Sequence, residues 1–143
     1  MHMWQYLTFL PCAIALIAQV GLSTGTARRM ATNHPWRVAI ALWLGSWLAT
    51  LLILYGRSQG SIVGNFVLQR EIGYWLGSAV MLSLPFFAVA ALHRFMFATP
   101  QAAPSTARVA LVIAALAGWL LAPGLFSVGW VAGCVFVGYQ SCM

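Results

Sequence analysis

Two histidines are the residues of this chain whose type and spacing best suit a cofactor. His34 precedes one apolar stretch and His93 follows the next, and imidazoles from two helices can ligate a haem iron or another metal. A quinone could bind in the same neighbourhood. The competing interpretation is that each ring caps or solvates a helix end, and it is favoured because no carboxylate lies on that side to orient either ring. The sequence therefore predicts no cofactor, with haem or quinone near His34 and His93 as the alternative.

The three cysteines are the second group with possible chemistry. Cys12, Cys134 and Cys142 form no C-x-x-C motif and no group with zinc-site spacing, so no metal site is predicted. If its compartment oxidises thiols, Cys142 could bridge to Cys134 or to Cys12. The favoured interpretation is three separate thiols that pack as small hydrophobes, and a Cys134–Cys142 disulfide is the alternative.

Catalytic and transport residues are scarce. The sequence contains no H-E-x-x-H and no P-loop, and Glu71 is its only acidic residue, so no pair of carboxylates exists for acid–base catalysis. The chain is therefore predicted not to be an enzyme. No predicted span contains an interior acid, lysine or arginine, which argues against a proton-coupled carrier. A homo-oligomeric pore stays open as an alternative, with a lining of hydroxyls from Ser46, Thr50, Ser78 and Ser83.

Long apolar stretches must position these residues. The chain is 62% hydrophobic and 6% charged, whereas a soluble domain has about 25% charged residues. Residues 38–56 contain no charge and lie between Arg37 and Arg57. As a helix they would measure about 28 Å, close to the hydrocarbon thickness of a bilayer. This stretch is predicted to be a membrane-spanning helix.

Similar stretches predict an all-α polytopic membrane protein. The prediction is a four-transmembrane-helix bundle that forms a single domain over residues 1–143, with spans at about 4–22, 38–56, 72–92 and 109–138. The last stretch is too long for one untilted span, and Pro123–Gly124 interrupts it. One kinked final helix with a break at 123–124 is favoured, and two half-membrane segments are the alternative.

Small residues recur four positions apart, which places them on one face of each helix and lets helix backbones approach closely. The predicted helix-packing residues are Ala41, Gly45, Ala49, Gly73, Gly77, Ala110, Ala114, Gly118 and Ala122. Further pairs are Gly21/Gly25 and Gly129/Gly133. These faces are more numerous than the close helix contacts that one four-helix bundle requires, so they predict self-association or assembly with other membrane protein subunits.

The arginines flank the apolar stretches and predict orientation. Two predicted loops, with their flanks, carry five of the seven, and these five are predicted to bind lipid headgroups: Arg28, Arg29, Arg37, Arg94 and Arg108. The positive-inside rule places those loops in the cytoplasm and both termini outside it. The net charge of +6 is explained in this way, so nucleic-acid binding is not predicted.

The function predicted from these observations is that of a non-catalytic integral membrane subunit, in a bacterial inner membrane, that packs against and stabilises a larger membrane protein complex. The alternatives are a redox-linked protein that binds haem or quinone near His34 and His93, and the homo-oligomeric pore.

Overall fold

The computed structural model describes residues 3–24, 34–57, 68–98 and 104–138, and within these ranges every element is an α-helix. The helices are α1 (Met3–Thr8), α2 (Leu10–Thr24), α3 (Pro35–Arg57), α4 (Leu68–Ala98) and α5 (Pro104–Phe136). The predicted all-helical fold is confirmed.

Three of these helices are long and apolar enough to cross a membrane: Pro35–Arg57, Glu71–Phe97 and Ser105–Phe136. They correspond to the second, third and fourth predicted spans, although α4 and α5 begin several residues earlier than predicted and α4 also ends later. Three such helices are compatible with an integral membrane protein.

The first predicted span, residues 4–22, is instead two helices that meet at Phe9. The carbonyl of Phe9 starts α2, because it accepts the N–H groups of Cys12 at 3.0 Å and Ala13 at 3.3 Å. Pro11 explains the break, since proline fits the first turn of a helix but would disrupt a helix that continued from α1. The 15-residue α2 is about 22 Å long, shorter than a bilayer core of about 30 Å, so the four-span count is not confirmed.

The final helix is continuous. α5 runs through Pro123 and Gly124 to Phe136, so the alternative with two half-membrane segments and the expected break at 123–124 do not occur. Pro123 has no N–H to donate to the carbonyl of Trp119, which makes a bend at this position a prediction that still stands on the sequence.

Contacts between helices show that α4 runs antiparallel to both α3 and α5. Trp36 and Trp47 of α3 contact Phe87 and Trp75 of α4, with ring centroids 6.0 and 6.1 Å apart. In the same way, early residues of α4 lie against late residues of α5. The start of α3, the end of α4 and the start of α5 therefore share one end of the bundle. We call it the arginine end, because exposed Arg37, Arg94 and Arg108 lie there.

The core lies around α4. In the most apolar 18-residue stretch of each span, the share of residues buried inside the chain is 44% for α4, 28% for α5 and 17% for α3. The largest fully buried side chains include Phe86 and Val89 of α4, Leu16 of α2 and Leu111 of α5. α3 thus lies at the periphery of the bundle and faces its surroundings along most of its length.

Candidate functional site

Four glycines form the closest contact between α4 and α5. A Cβ atom placed on Gly77 would lie 2.9 Å from both the N and the Cα of Gly133, and it would overlap the carbonyl oxygen of Gly129. A Cβ on Gly73 would lie 2.9 Å from the carbonyl oxygen of Gly133. The atoms named here belong to the backbone, and a Cβ on Gly73 would also overlap the side chain of Val137, so rotating a side chain would not by itself make room. The predicted packing residues Gly73 and Gly77 therefore lie against a helix of the same chain.

The predicted small-residue face of α5 packs against both α4 and α2. A Cβ on Gly118 would lie 2.8 Å from Cβ of Pro85 in α4 and 3.3 Å from Cδ1 of Leu16 in α2. Ala122 is fully buried and Ala114 packs against the core, while Ala110 is half-buried. This face too lies largely within the chain.

The small-residue face of α3 differs from the other two. A Cβ on Gly45 would meet nothing within 4 Å, Ala41 is exposed, and Ala49 is half-buried. These three residues line one wall of an apolar groove of about 360 Å³, and Pro11, Ile14, Ala15 and Ala18 of α2 line the other. We call it the α3 groove. The groove is open at the side, so within the described ranges no other helix covers this predicted packing face.

A buried hydrogen bond joins α2 to α4. Gln19 of α2 is 2% exposed, and its Nε2 donates to the carbonyl oxygen of Phe86 in α4 at 3.1 Å. A buried amide is costly unless it is hydrogen-bonded, and bonds of this kind hold helices together in membranes. Gln19 therefore fixes α2, one wall of the groove, to the central helix.

The two histidines lie in different environments. The carbonyl of His34 accepts the N–H groups of Arg37 at 3.1 Å and Val38 at 3.3 Å, so this residue starts α3, and its side chain is exposed. His93 is 3% exposed, with its ring centroid 4.7 Å from that of Phe97. The sequence suggested that His93 solvates a helix end, but its ring instead packs in the interior. One exposed and one buried ring give no support to a haem or quinone held between them.

The cysteines also separate into two kinds. Cys134 is disulfide-bonded, whereas Cys12 is a buried free thiol. The favoured interpretation of three separate thiols is therefore wrong for Cys134. Cys142 lies outside the described residues, and it is the one other cysteine in the sequence.

Thiol counting tests this arrangement. In denaturing detergent without reductant, we expect alkylation of one thiol per chain, Cys12, because Cys134 is oxidised. After reduction, all three cysteines of the sequence should react. Mass spectrometry of the alkylated chain measures the count, and three modified thiols before reduction would show that no disulfide forms.

The hydroxyls considered for a pore lining point to partners within the bundle. Ser78 donates to the carbonyl of Phe126 at 3.1 Å, Ser83 to that of Val80 at 2.5 Å, and Ser46 to that of Trp43 at 2.9 Å. Thr50 is 1% exposed. A pore between copies would need these hydroxyls on the outer surface of the chain, so the geometry does not favour it.

Sequence reasoning missed a cluster of aromatic rings in the half of the bundle away from the arginine end. Phe126 of α5 is its centre, with ring centroids of Phe9, Trp75, Trp130 and Trp47 at 5.5, 5.9, 5.7 and 6.3 Å. Tyr74 stacks on Trp130 at 4.6 Å. The members are far apart in sequence, and only the four-residue spacing of Phe126 and Trp130 hints that they share a face.

The arginines predicted to bind headgroups are grouped where the structure describes them. Arg37, Arg94 and Arg108 are all exposed at the arginine end, and Arg28 and Arg29 lie outside the described residues. At the opposite end, Nη1 of Arg57 donates to Oγ1 of Thr8 at 2.7 Å, and Thr8 in turn donates to the carbonyl of Trp4 at 3.0 Å. Arg57 thus joins α3 to α1.

Hydrolytic and metal chemistry find little support in these residues. Residues 21–25, GLSTG, have the G-x-S-x-G spacing of a hydrolase nucleophile elbow, which is a sharp turn from a strand to a helix. Gly21 to Thr24 instead form the last turn of α2, so this segment does not have the structure of an elbow. Glu71, the only acidic residue, lies at the start of the α4 span, near the other end of the bundle. No group of three or more His, Cys, Asp or Glu that could hold a metal ion occurs among the residues that the structure describes.

Comparison of the chain with models of protein families, with curated proteins and with solved structures gave no match.

Proposed function

We propose that this protein is a non-catalytic integral membrane subunit that packs against and stabilises a larger membrane protein complex, with the α3 groove as its contact face. The observation that carries the proposal is the empty space at Gly45. A glycine inside a helix lowers the stability of that helix by about 0.5–1 kcal/mol relative to alanine. At Gly73 and Gly77 close packing within the chain compensates for this loss, whereas Gly45 has no such contact among the described residues, and we infer that a helix of another protein supplies it.

The peripheral position of α3 supports the same conclusion. Only 17% of its span is buried inside the chain, and its exposed side chains include Leu44, Leu48 and Leu52 beside Gly45. Large side chains next to a small-residue face produce the ridge and groove that a second helix can fit. α3 therefore offers both the space and the surrounding apolar surface for a partner helix.

The proposed orientation places the arginine end in the cytoplasm of a bacterial cell and both termini outside. Exposed Arg37, Arg94 and Arg108 support it, because cytoplasmic segments are enriched in arginine and meet anionic headgroups. The proposal includes α2 as a fourth, short crossing, which local thinning of the bilayer or oligomerisation can accommodate. Neither the redox alternative nor the pore has a supporting contact within the described ranges.

Replacing Gly45 by leucine tests the contact face. We expect Gly45→Leu to abolish assembly, because its side chain would occupy the groove that the partner helix fills. The measurement is the mass of the complex extracted in mild detergent, by native electrophoresis, together with the identities of the co-purifying chains.

Ala117→Leu is the matched control for this test. Ala117 is an exposed small residue on α5, outside the α3 groove, so the added bulk should leave assembly unchanged. If the Gly45→Leu protein assembles as well as the control, or if the wild-type protein extracts as a stable monomer, the proposed function is wrong.

A further inference from the structure

Cys134 is an enclosed half of a disulfide near the end of α5. Its side chain is fully buried and its sulfur is disulfide-bonded. The preceding residue, Gly133, lies against α4, since a Cβ there would come 3.1 Å from the N of Tyr74. Three positions after Cys134, the side chain of Val137 contacts Gly73. The bonded sulfur therefore belongs to the segment of α5 that packs on α4.

α5 ends at a glycine that turns the backbone. Gly138 has a φ of 84°, and its N–H donates to the carbonyl of Val135 at 3.0 Å, which is the usual way for glycine to end a helix. Gly138 lies midway between Cys134 and Cys142 in the sequence. A helix that continued would separate these two cysteines by about 12 Å along its axis, whereas the Cα atoms of a disulfide are roughly 4.4–6.8 Å apart. A turn at Gly138 is therefore what a bond between them requires.

The partner and the compartment of this bond follow from two separate properties of the chain. Of the three cysteines, Cys12 is a free thiol, so Cys142 is the one that can pair with Cys134 within the chain. Disulfides persist where thiols are oxidised, outside the cytoplasm. Cys134 lies at the end of the bundle opposite the arginine end, because late α5 packs on early α4. The oxidised cysteine and the distribution of arginines thus favour the same orientation.

We propose that Cys134 and Cys142 form a redox-dependent lock, closed on the non-cytoplasmic side, that holds the end of α5 against α4. The compartment depends on the orientation under the proposed function, whereas the α3 groove plays no part in the lock.

Thiol–disulfide exchange closes the lock, with the disulfide of an oxidising protein or of oxidised glutathione as the oxidant. The Cys142 thiolate attacks one sulfur of that disulfide, and the other sulfur leaves as a thiolate. Cys134, which is enclosed once α5 packs, then attacks the Cys142 sulfur of the mixed disulfide and releases the second sulfur of the oxidant. The oxidant gains two electrons, and the protons of the two cysteine thiols end on its two sulfurs.

Removing Cys142 tests the pairing. In denaturing detergent without reductant, we expect two alkylated thiols in Cys142→Ser, against one in the wild-type protein and none in the control Cys12→Ser. Fewer than two in Cys142→Ser would place the partner of Cys134 elsewhere. A wild-type band at twice 15.5 kDa in non-reducing electrophoresis would also refute the pairing, because the bond would then join two copies.

The rate of reduction by a water-soluble phosphine in mild detergent tests the lock. We expect Gly73→Ala to be reduced about tenfold faster than the wild-type protein, because inserting a methyl group into packed atoms favours local opening. Its Cβ would overlap the side chain of Val137 and lie 2.9 Å from the carbonyl oxygen of Gly133. Gly45→Ala is the control and should match the wild-type protein, since its Cβ meets nothing within 4 Å. Equal rates for Gly73→Ala and Gly45→Ala would show that the bond does not hold this contact.

Synthesis into inside-out membrane vesicles tests the compartment, because their lumen corresponds to the outside of the cell. Oxidised glutathione in the lumen, with the membrane-impermeant phosphine outside, should close the lock, and the reverse arrangement should leave both thiols free. Closure in the reverse arrangement, or in neither, would overturn the inferred compartment. Assembly through the α3 groove is measured separately with Gly45→Leu, so a failure of the lock and a failure of the proposed function are distinguishable.

Discussion

Phe126→Ala is expected to lower the free energy of unfolding by about 2 kcal/mol, less than the roughly 3–5 kcal/mol for a fully buried aromatic side chain, because Phe126 is half-buried against the core. The ring of Phe126 contacts Phe9, Trp47, Trp75 and Trp130. It therefore joins the α1–α2 junction, α3, α4 and α5 at one place. Aromatic pairs contribute beyond the area that they bury, so several favourable contacts are lost together.

Unfolding in mixed detergent and denaturant micelles, followed by tryptophan fluorescence and ellipticity, measures this effect. Three of the four contacted rings are tryptophans, so the emission of the folded protein should also change. Phe136→Ala is the control, because Phe136 is 93% exposed and its removal should have little effect on stability. Equal stabilities of the two variants would mean that the aromatic cluster does not hold the bundle together.

Gly77→Ala is expected to destabilise the fold by about 1–3 kcal/mol, the usual penalty for inserting atoms into a packed interior. The new Cβ would lie 2.9 Å from the N and Cα of Gly133 and overlap the carbonyl oxygen of Gly129. These are backbone atoms of another helix, so α4 and α5 must separate along this contact. The loss should exceed the gain of about 0.5–1 kcal/mol that alanine gives over glycine in a helix.

Gly45→Ala is the matched substitution for Gly77→Ala. Its Cβ would meet nothing within 4 Å, so the isolated chain should keep or slightly increase its stability while assembly weakens. Gly133→Ala should resemble Gly77→Ala, and the double variant should lose less than the sum, since both changes act on one contact. Equal stabilities of Gly77→Ala and Gly45→Ala would refute the close approach of α4 and α5.

The sequence was informative about helices and less so about their contacts. Apolar length and flanking charges predicted the three long spans, because these properties are local and the bilayer sets the required length. The same signals failed at residues 4–22, where a continuous apolar stretch hid the break at Phe9. Pro11 was visible in the sequence, but composition alone does not distinguish a bent helix from two helices.

The partners of the small-residue faces could not be predicted. Spacing by four indicates that Gly45 and Gly77 both permit close approach, but it does not say which helix approaches. In a soluble helix, the polar side would reveal the exposed face. In α3 the side facing lipid and the side facing protein are both apolar, so only the packing shows that Gly77 is covered and Gly45 is open.

Cross-linking from position 45 tests the central claim most directly. A photoreactive amino acid at Gly45, activated in native membranes, should give a discrete adduct with another membrane protein, of a mass that differs from twice the 15.5 kDa chain. The same amino acid at Ala117 should not give that adduct. If position 45 yields only lipid adducts, or the same products as position 117, then the α3 groove faces lipid and the protein is not held in a complex through α3.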